Sequence, residues 1–167
     1  MTITRETIIY VDLDGVLVDF DGALRERFGF GWDDTPRRKV WSSIMHYNDH
    51  VAPWFYSLPK MHDFDVLWEF VTGNFDTVEI LSASGTSPKD AQGQKRAWIG
   101  DNISYDVVAN IVTSGSEKAQ FAHADALLID DRKRVLNPFI EAGGRGILHT
   151  SAEDTVRQLT ALREDLA

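Results

Sequence analysis

The chain contains no cysteine. Disulfide frameworks, thiolate nucleophiles and zinc–thiolate sites are therefore excluded as bases for its fold or chemistry. Long apolar runs are also missing, and no stretch approaches the roughly 20 residues that a membrane-spanning helix needs. Positive charge is scarce: 17 Lys and Arg stand against 26 Asp and Glu, a formal net charge of -9. An acidic surface repels the phosphate backbone at long range, so stable binding to duplex DNA or RNA is not expected. The same field repels a small phosphorylated molecule, which must then be held by a local cation. The opening segment, Met1 to Glu6, is polar and lacks the apolar core of a signal peptide, so the expected location is the cytoplasm.

What remains is an ordinary globular composition. Of 167 residues, 43% are apolar and 26% charged, enough for one domain with a buried core and a small inserted lobe. Short apolar runs recur along the chain: Ile8–Val11, Val78–Leu81, Val107–Val112, Ala126–Ile129 and Gly146–His149. Each has the length and branched-residue content of a buried strand. Helical patterns separate them, over Lys89–Ile99 (with Ala91, Lys95 and Trp98 at helical spacing) and Arg134–Ala142, the latter stopped by Gly143-Gly144. A last helix opens at Ser151, where Ser151 and Asp154 resemble a capping box, and carries Val156, Leu159, Leu162 and Leu166 on one face. Strands alternating with helices predict a three-layer α/β fold around a parallel sheet. Ligands then bind beyond the carboxyl ends of the strands.

The stretch from Asp19 to about Gly73 breaks the alternation. It is rich in aromatics, with helical patches near Gly22–Arg27, Arg37–Met45 and Asp63–Val71. Residues 19–58 read as a helical cap inserted after the first strand, and 1–18 with 59–167 as the catalytic core. Most of the aromatics are expected to pack the cap and core. Asp33-Asp34 is expected to open a helix, and Arg37-Arg38-Lys39 to form a solvated face. The five histidines show no metal-ligand spacing.

Three of the strands end in polar chemistry: Asp12 and Asp14, Ser82 and Ser84, and Asp130 and Asp131. Two carboxylates one residue apart at a strand end can enter one cleft. One can attack phosphorus and the other can pass a proton. Gly15 permits a tight turn with backbone N–H groups near a phosphate. Anionic groups attacking an anion need a cation, and Mg2+ suits hard oxygen ligands.

Taken in order, Asp12/Asp14, Ser82, Lys118 and Asp130/Asp131 resemble the signature of the haloacid dehalogenase-like (HAD) phosphohydrolase superfamily. Within it, the segments Val11–Phe20, Pro53–Pro59, Gln94–Ile99 and Ala124–Arg132 are most similar to the 5'(3')-deoxyribonucleotidases. The resemblance implies a three-layer Rossmann-like core and a Mg2+-dependent phosphatase that dephosphorylates deoxyribonucleoside monophosphates through an aspartyl-phosphate. It implies Asp12 as nucleophile and metal ligand, and Asp14 as general acid/base with its backbone carbonyl on the metal. Asp130 would be the further ligand, with Asp131 just behind it. Ser82, Ala83, Ser84, Gly15 and Lys118 would surround the phosphate, and Phe20, Trp54 and Phe55 the base. Ala83 stands where relatives often carry a second hydroxyl. Lys95 rivals Lys118 for the cationic role, but it falls within a helix in a Lys-x-x-Trp pattern, and Lys118 is preferred. Other readings are a 3'-end phosphatase of nucleic acids and a phosphate-binding regulatory module without catalysis. A small nucleotide is the expected partner, no membrane is, and a homodimer is compatible with the sequence.

Overall fold

The computed structural model describes residues 2–163. Its five strands are β1 (Ile8–Val11), β2 (Val78–Ala83), β3 (Ala109–Val112), β4 (Ala126–Asp130) and β5 (Arg145–Leu148). All pairings are parallel, in the order β3-β2-β1-β4-β5. The chain runs outward from β1 through β2 to β3, then returns to the other side of β1 for β4 and β5. The order therefore reverses between β1 and β4, where an open α/β sheet forms its ligand crevice.

Alternation of side chains along the strands builds two cores. Ile9, Val11, Ile80, Leu127 and Ile129 face one side, while Tyr10, Leu81, Ala126 and Leu128 face the other. The second side is covered by α5 (Lys133–Glu141), through Val135, Leu136 and Phe139. The first side takes α3 (Phe64–Asn74), α4 (Ala91–Asn102) and α6 (Ala152–Leu162). Both faces of the central strands are thus sealed, which is why β4 is buried at all five positions. The result is the three-layer α/β fold that the alternation predicts.

Two helices, α1 (Phe20–Phe28) and α2 (Arg37–His50), follow β1. Their buried residues Ala23, Leu24, Val40 and Ile44, with Trp54 and Phe55 beyond them, join the same core cluster as Ile9 and Val11. Asp19 starts α1 by accepting from the Gly22 N–H at 2.9 Å. The acidic pair Asp33-Asp34 does not open α2, which begins at Arg37 after Pro36. Asp34 instead closes a turn, accepting from the N–H of Gly31 at 2.7 Å. Its side chain finds a donor within the loop, and Pro at the helix entry needs none.

The last helix begins at Ser151, whose hydroxyl accepts from the Asp154 N–H at 3.1 Å. The reciprocal half of a capping box is not made, because the Asp154 carboxylate is taken by Arg157, Gln158 and Thr150. The buried stripe of α6 is Ala152, Thr155 and Leu159, and Leu166 lies outside the described residues. After α5, Gly143 adopts φ 101° and ends the helix. Among the described residues, no helix is long and apolar enough to cross a membrane.

Candidate active site

Parallel register sets the floor of the crevice. Val11 pairs with Ile129 on one side and Ile80 on the other, so the chain leaves β1 at Asp12 beside Asp130. The Asp12 N–H donates to the Ile129 carbonyl at 3.0 Å and continues the ladder by one residue. Ser82 lies two positions along β2 from Ile80, and is fully buried. Beyond Asp12 the chain folds into a compact loop. The N–H groups of Val16, Leu17 and Val18 all point to the Leu13 carbonyl, and that of Gly15 donates to Val18 at 2.9 Å.

Gly15 is required here on two counts. Its φ is 84°, and a Cβ would lie 2.1 Å from Oδ2 of Asp131. Gly15 does permit the expected tight turn, but its own N–H is committed to the Val18 carbonyl. Its contribution is room for Asp131.

Lys118 sits on a 3-10 segment, Gly115–Phe121, and is fully buried. Its Nζ donates to Oδ1 of Asp12 at 2.9 Å and to Oδ2 of Asp130 at 2.8 Å. Burial alone would lower this ammonium, but the two carboxylates outweigh it and its pKa is raised. Asp130 also accepts from the Arg132 N–H at 3.0 Å. Among the described residues, Oδ2 of Asp12 has no protein donor, so one oxygen of this carboxylate is left for chemistry.

Asp12, Asp130 and Asp131 bring carboxylate oxygens within 4.8 Å of one another. Burial, and next the charge of Asp12, push the Asp130 carboxyl up to about 6 despite Lys118. Asp131 is solvent-exposed as a residue, but its carboxyl head is crowded into the cleft against Gly15. Burial there, followed by repulsion from Asp12 and Asp130, pushes it up to about 7. Three hard oxygen donors that repel one another make a fitting site for Mg2+. Asp131 belongs to this cluster with Asp130, so it is a candidate ligand beside it.

Lys95 occupies the other side of the cleft. It projects from α4, is only 2% exposed, and donates to Oδ2 of Asp14 at 2.6 Å and to Oγ of Ser82 at 3.1 Å. Because Ser82 accepts from Lys95, its own O–H remains to donate elsewhere. The two lysines therefore divide the carboxylates between them: Lys118 takes Asp12 and Asp130, and Lys95 takes Asp14. Weighing the two lysines as rivals for one place missed this division. The signal was present, since Lys95 shares the helical spacing of Ala91 and Trp98, and both of these are buried.

Ser84 is turned away from such a role. Its hydroxyl lies 2.8 Å from the Gly85 carbonyl and 3.3 Å from that of Val112, both of which it can serve only as donor. Ala83 offers no side-chain hydrogen bond. Phe20, Trp54 and Phe55 do come together, with the Phe20 ring centroid 5.7 Å from Trp54 and 6.3 Å from Phe55. Trp54 is fully buried among Phe20, Phe28 and Tyr47, so its part is packing. Phe20 is the partly buried member, at the start of α1 next to the Asp12–Val18 loop.

No family model matches the chain, and no curated protein matches its sequence. Solved structures do. A HAD-superfamily hydrolase from Ehrlichia chaffeensis aligns over 96% of this chain and 99% of its own, with a TM-score of 0.53 at 13% identity. A hydrolase from Streptococcus pneumoniae TIGR4 aligns over 93% and 99%, with a TM-score of 0.51 at 14% identity. The chain shares the HAD-like α/β fold of these neighbours. A subfamily IA member from Geobacter sulfurreducens, at 11% identity, has a TM-score of 0.50 over 95% and 98% of the two chains. At such low identity the likeness is one of architecture.

Proposed function

We propose that this chain is a Mg2+-dependent phosphomonoesterase that dephosphorylates deoxyribonucleoside monophosphates through an aspartyl-phosphate on Asp12. The observation that carries the reading is the division of the cleft. One carboxylate, Asp12, is held on the sheet by Lys118 with an oxygen left over. A second, Asp14, stands apart on its own lysine.

Mg2+ would be held by Asp12, Asp130 and Asp131, with the Asp14 backbone carbonyl as the further ligand that the resemblance implies. When bound, it would neutralise the carboxylates and the phosphoryl oxygens. Asp12 attacks phosphorus, forming an Oδ–P bond as the P–O bond to the leaving group breaks. The electron pair goes to the leaving oxygen, which takes a proton from Asp14. Water then attacks the phosphoryl group, with Asp14 accepting its proton, and Asp12 is released. Lys118 stabilises the charge on the nucleophile side, and the free O–H of Ser82 donates to a phosphoryl oxygen.

Residues 19–58 act as the cap in this reading, over a core of 1–18 and 59–167. Phe20 supplies the face on which a nucleobase stacks, and Phe55 lies behind it. The test is a phosphate-release screen in Mg2+ across 5'- and 3'-nucleoside monophosphates, sugar phosphates and a 3'-phosphorylated oligonucleotide. Deoxyribonucleoside monophosphates should show the highest kcat/KM. Preference for the oligonucleotide would move the substrate to nucleic-acid ends, and no release from any substrate would remove the phosphatase reading.

A further inference from the structure

Lys95 is placed with unusual care for a residue outside the expected catalytic set. Its neighbours on α4 are fastened to α2 and to the segment that follows it. The Gln94 side chain accepts from the Phe55 N–H at 2.9 Å and donates to Asn48 at 3.0 Å and Asp90 at 2.9 Å. One turn on, Trp98 donates its indole N–H to the Leu58 carbonyl at 2.8 Å. Between these anchors the Lys95 ammonium has three neighbours: Asp14, Ser82, and the Phe55 ring with its centroid 4.5 Å away.

A buried ammonium is costly unless its environment compensates it. If only the charge of Asp14 needed an answer, a surface lysine could supply it, because Asp14 itself is partly exposed. The buried position adds direction. It ties the acid/base to the serine that faces the phosphate, through one atom fixed by a rigid helix.

We propose that Lys95 is a positioning residue for Asp14. It holds that carboxyl at a fixed place relative to Ser82, so that Asp14 meets the leaving oxygen of a phosphate seated on Ser82. This rests on the proposed phosphatase reading. Positioning matters in proportion to how much the leaving oxygen needs a proton. A sugar alkoxide needs one as the P–O bond breaks, whereas a nitrophenolate can depart without one. Loss of Lys95 should therefore penalise substrates unequally.

The experiment compares kcat/KM, which reports the bond-breaking step, for Lys95→Met and Lys95→Arg on a deoxyribonucleoside monophosphate and on p-nitrophenyl phosphate. Lys95→Met should lose about 100-fold on the nucleotide and under about tenfold on the aryl ester. Asp14→Asn serves as the reference with the same unequal pattern. Lys95→Arg keeps the charge but displaces the contact, and should show a smaller loss with the same inequality. It also serves where Lys95→Met does not fold, as read by thermal melting. Equal losses on both substrates in the folded variants, or no loss, would overturn the proposal by reducing Lys95 to phosphate attraction or packing. An inactive wild-type protein would instead overturn the phosphatase reading, so the two failures are distinguishable.

Discussion

The floor of the cleft and the aromatic insert beside it are built on different principles. Asp12, Ser82 and Asp130 stand on the ends of three adjacent parallel strands, and their spacing is set by backbone register. Lys118, at no exposure, pins two of them. The insert is instead placed by side-chain packing and by its bonds to α4. Phe20, Phe28, Tyr47 and Trp54 hold one another by ring packing, with Arg27 stacked on the last two and bonded to Ser57. In the proposed reading, chemistry that tolerates no misplacement sits on the strand ends, and the surface that selects a substrate sits on packed side chains. Changes to the floor should therefore cost rate on every substrate, and changes to the insert should redistribute preference among substrates.

The largest effect expected short of removing Asp12 is that of Lys118→Met. Losing the cation that faces Asp12 and Asp130 should lower kcat about 1000-fold, equally for nucleotide and aryl phosphates. A loss confined to one substrate would mean that Lys118 serves substrate selection and not the common chemistry. Next is Trp54→Ala, which vacates a fully buried ring site and should destabilise the protein by about 3–5 kcal/mol in chemical denaturation. Phe20→Ala should destabilise less than Trp54→Ala, because Phe20 is only partly buried, and should raise KM for nucleotides about tenfold, with little effect on a small alkyl phosphate. If the two variants behave alike, the insert is packing alone.

The smallest effect concerns pH. Asp130 and Asp131 are raised to about 6 and about 7, above the roughly 3.9 of an unfolded Asp. Their contribution to stability is full below the unfolded value and is lost as pH rises through the folded ones. His149, buried against Thr155, is lowered mainly by burial, so its contribution holds above its unfolded value and is lost as pH falls through the folded one. Two acids outweigh one base in this window. In chelator, Tm should fall by a few degrees from about pH 5.5 to about pH 8, and millimolar Mg2+ should remove most of that fall. An unchanged Tm with and without Mg2+ at the higher pH would count against a metal at these carboxylates.

Much of the floor was legible because register transmits it. An apolar run ending in acids reports both a buried strand and its chemical end, and β1 falls on Ile8–Val11 as read. Contacts between distant segments were less legible. That Lys95 reaches Asp14, 81 positions earlier, depends on where α4 packs. That Gly15 spends its N–H on Val18, and Ser84 its hydroxyl on a neighbouring carbonyl, depends on local turns that sequence spacing does not encode. The insert was legible only as composition, because a set of aromatics does not state which ring is buried. Trp54 and Phe20 read alike in sequence, and only packing separates them.

Phosphorylation of Asp12 is the step on which the proposed mechanism turns. It is tested most directly by mixing the enzyme with a deoxyribonucleoside monophosphate in Mg2+, quenching in acid during turnover, and measuring the peptide that carries Asp12 by mass spectrometry. One added phosphoryl group on Asp12 is expected, removed by hydroxylamine, with neither the adduct nor turnover in Asp12→Asn. Full turnover by Asp12→Asn, or a phosphoryl group trapped on another residue, would contradict it.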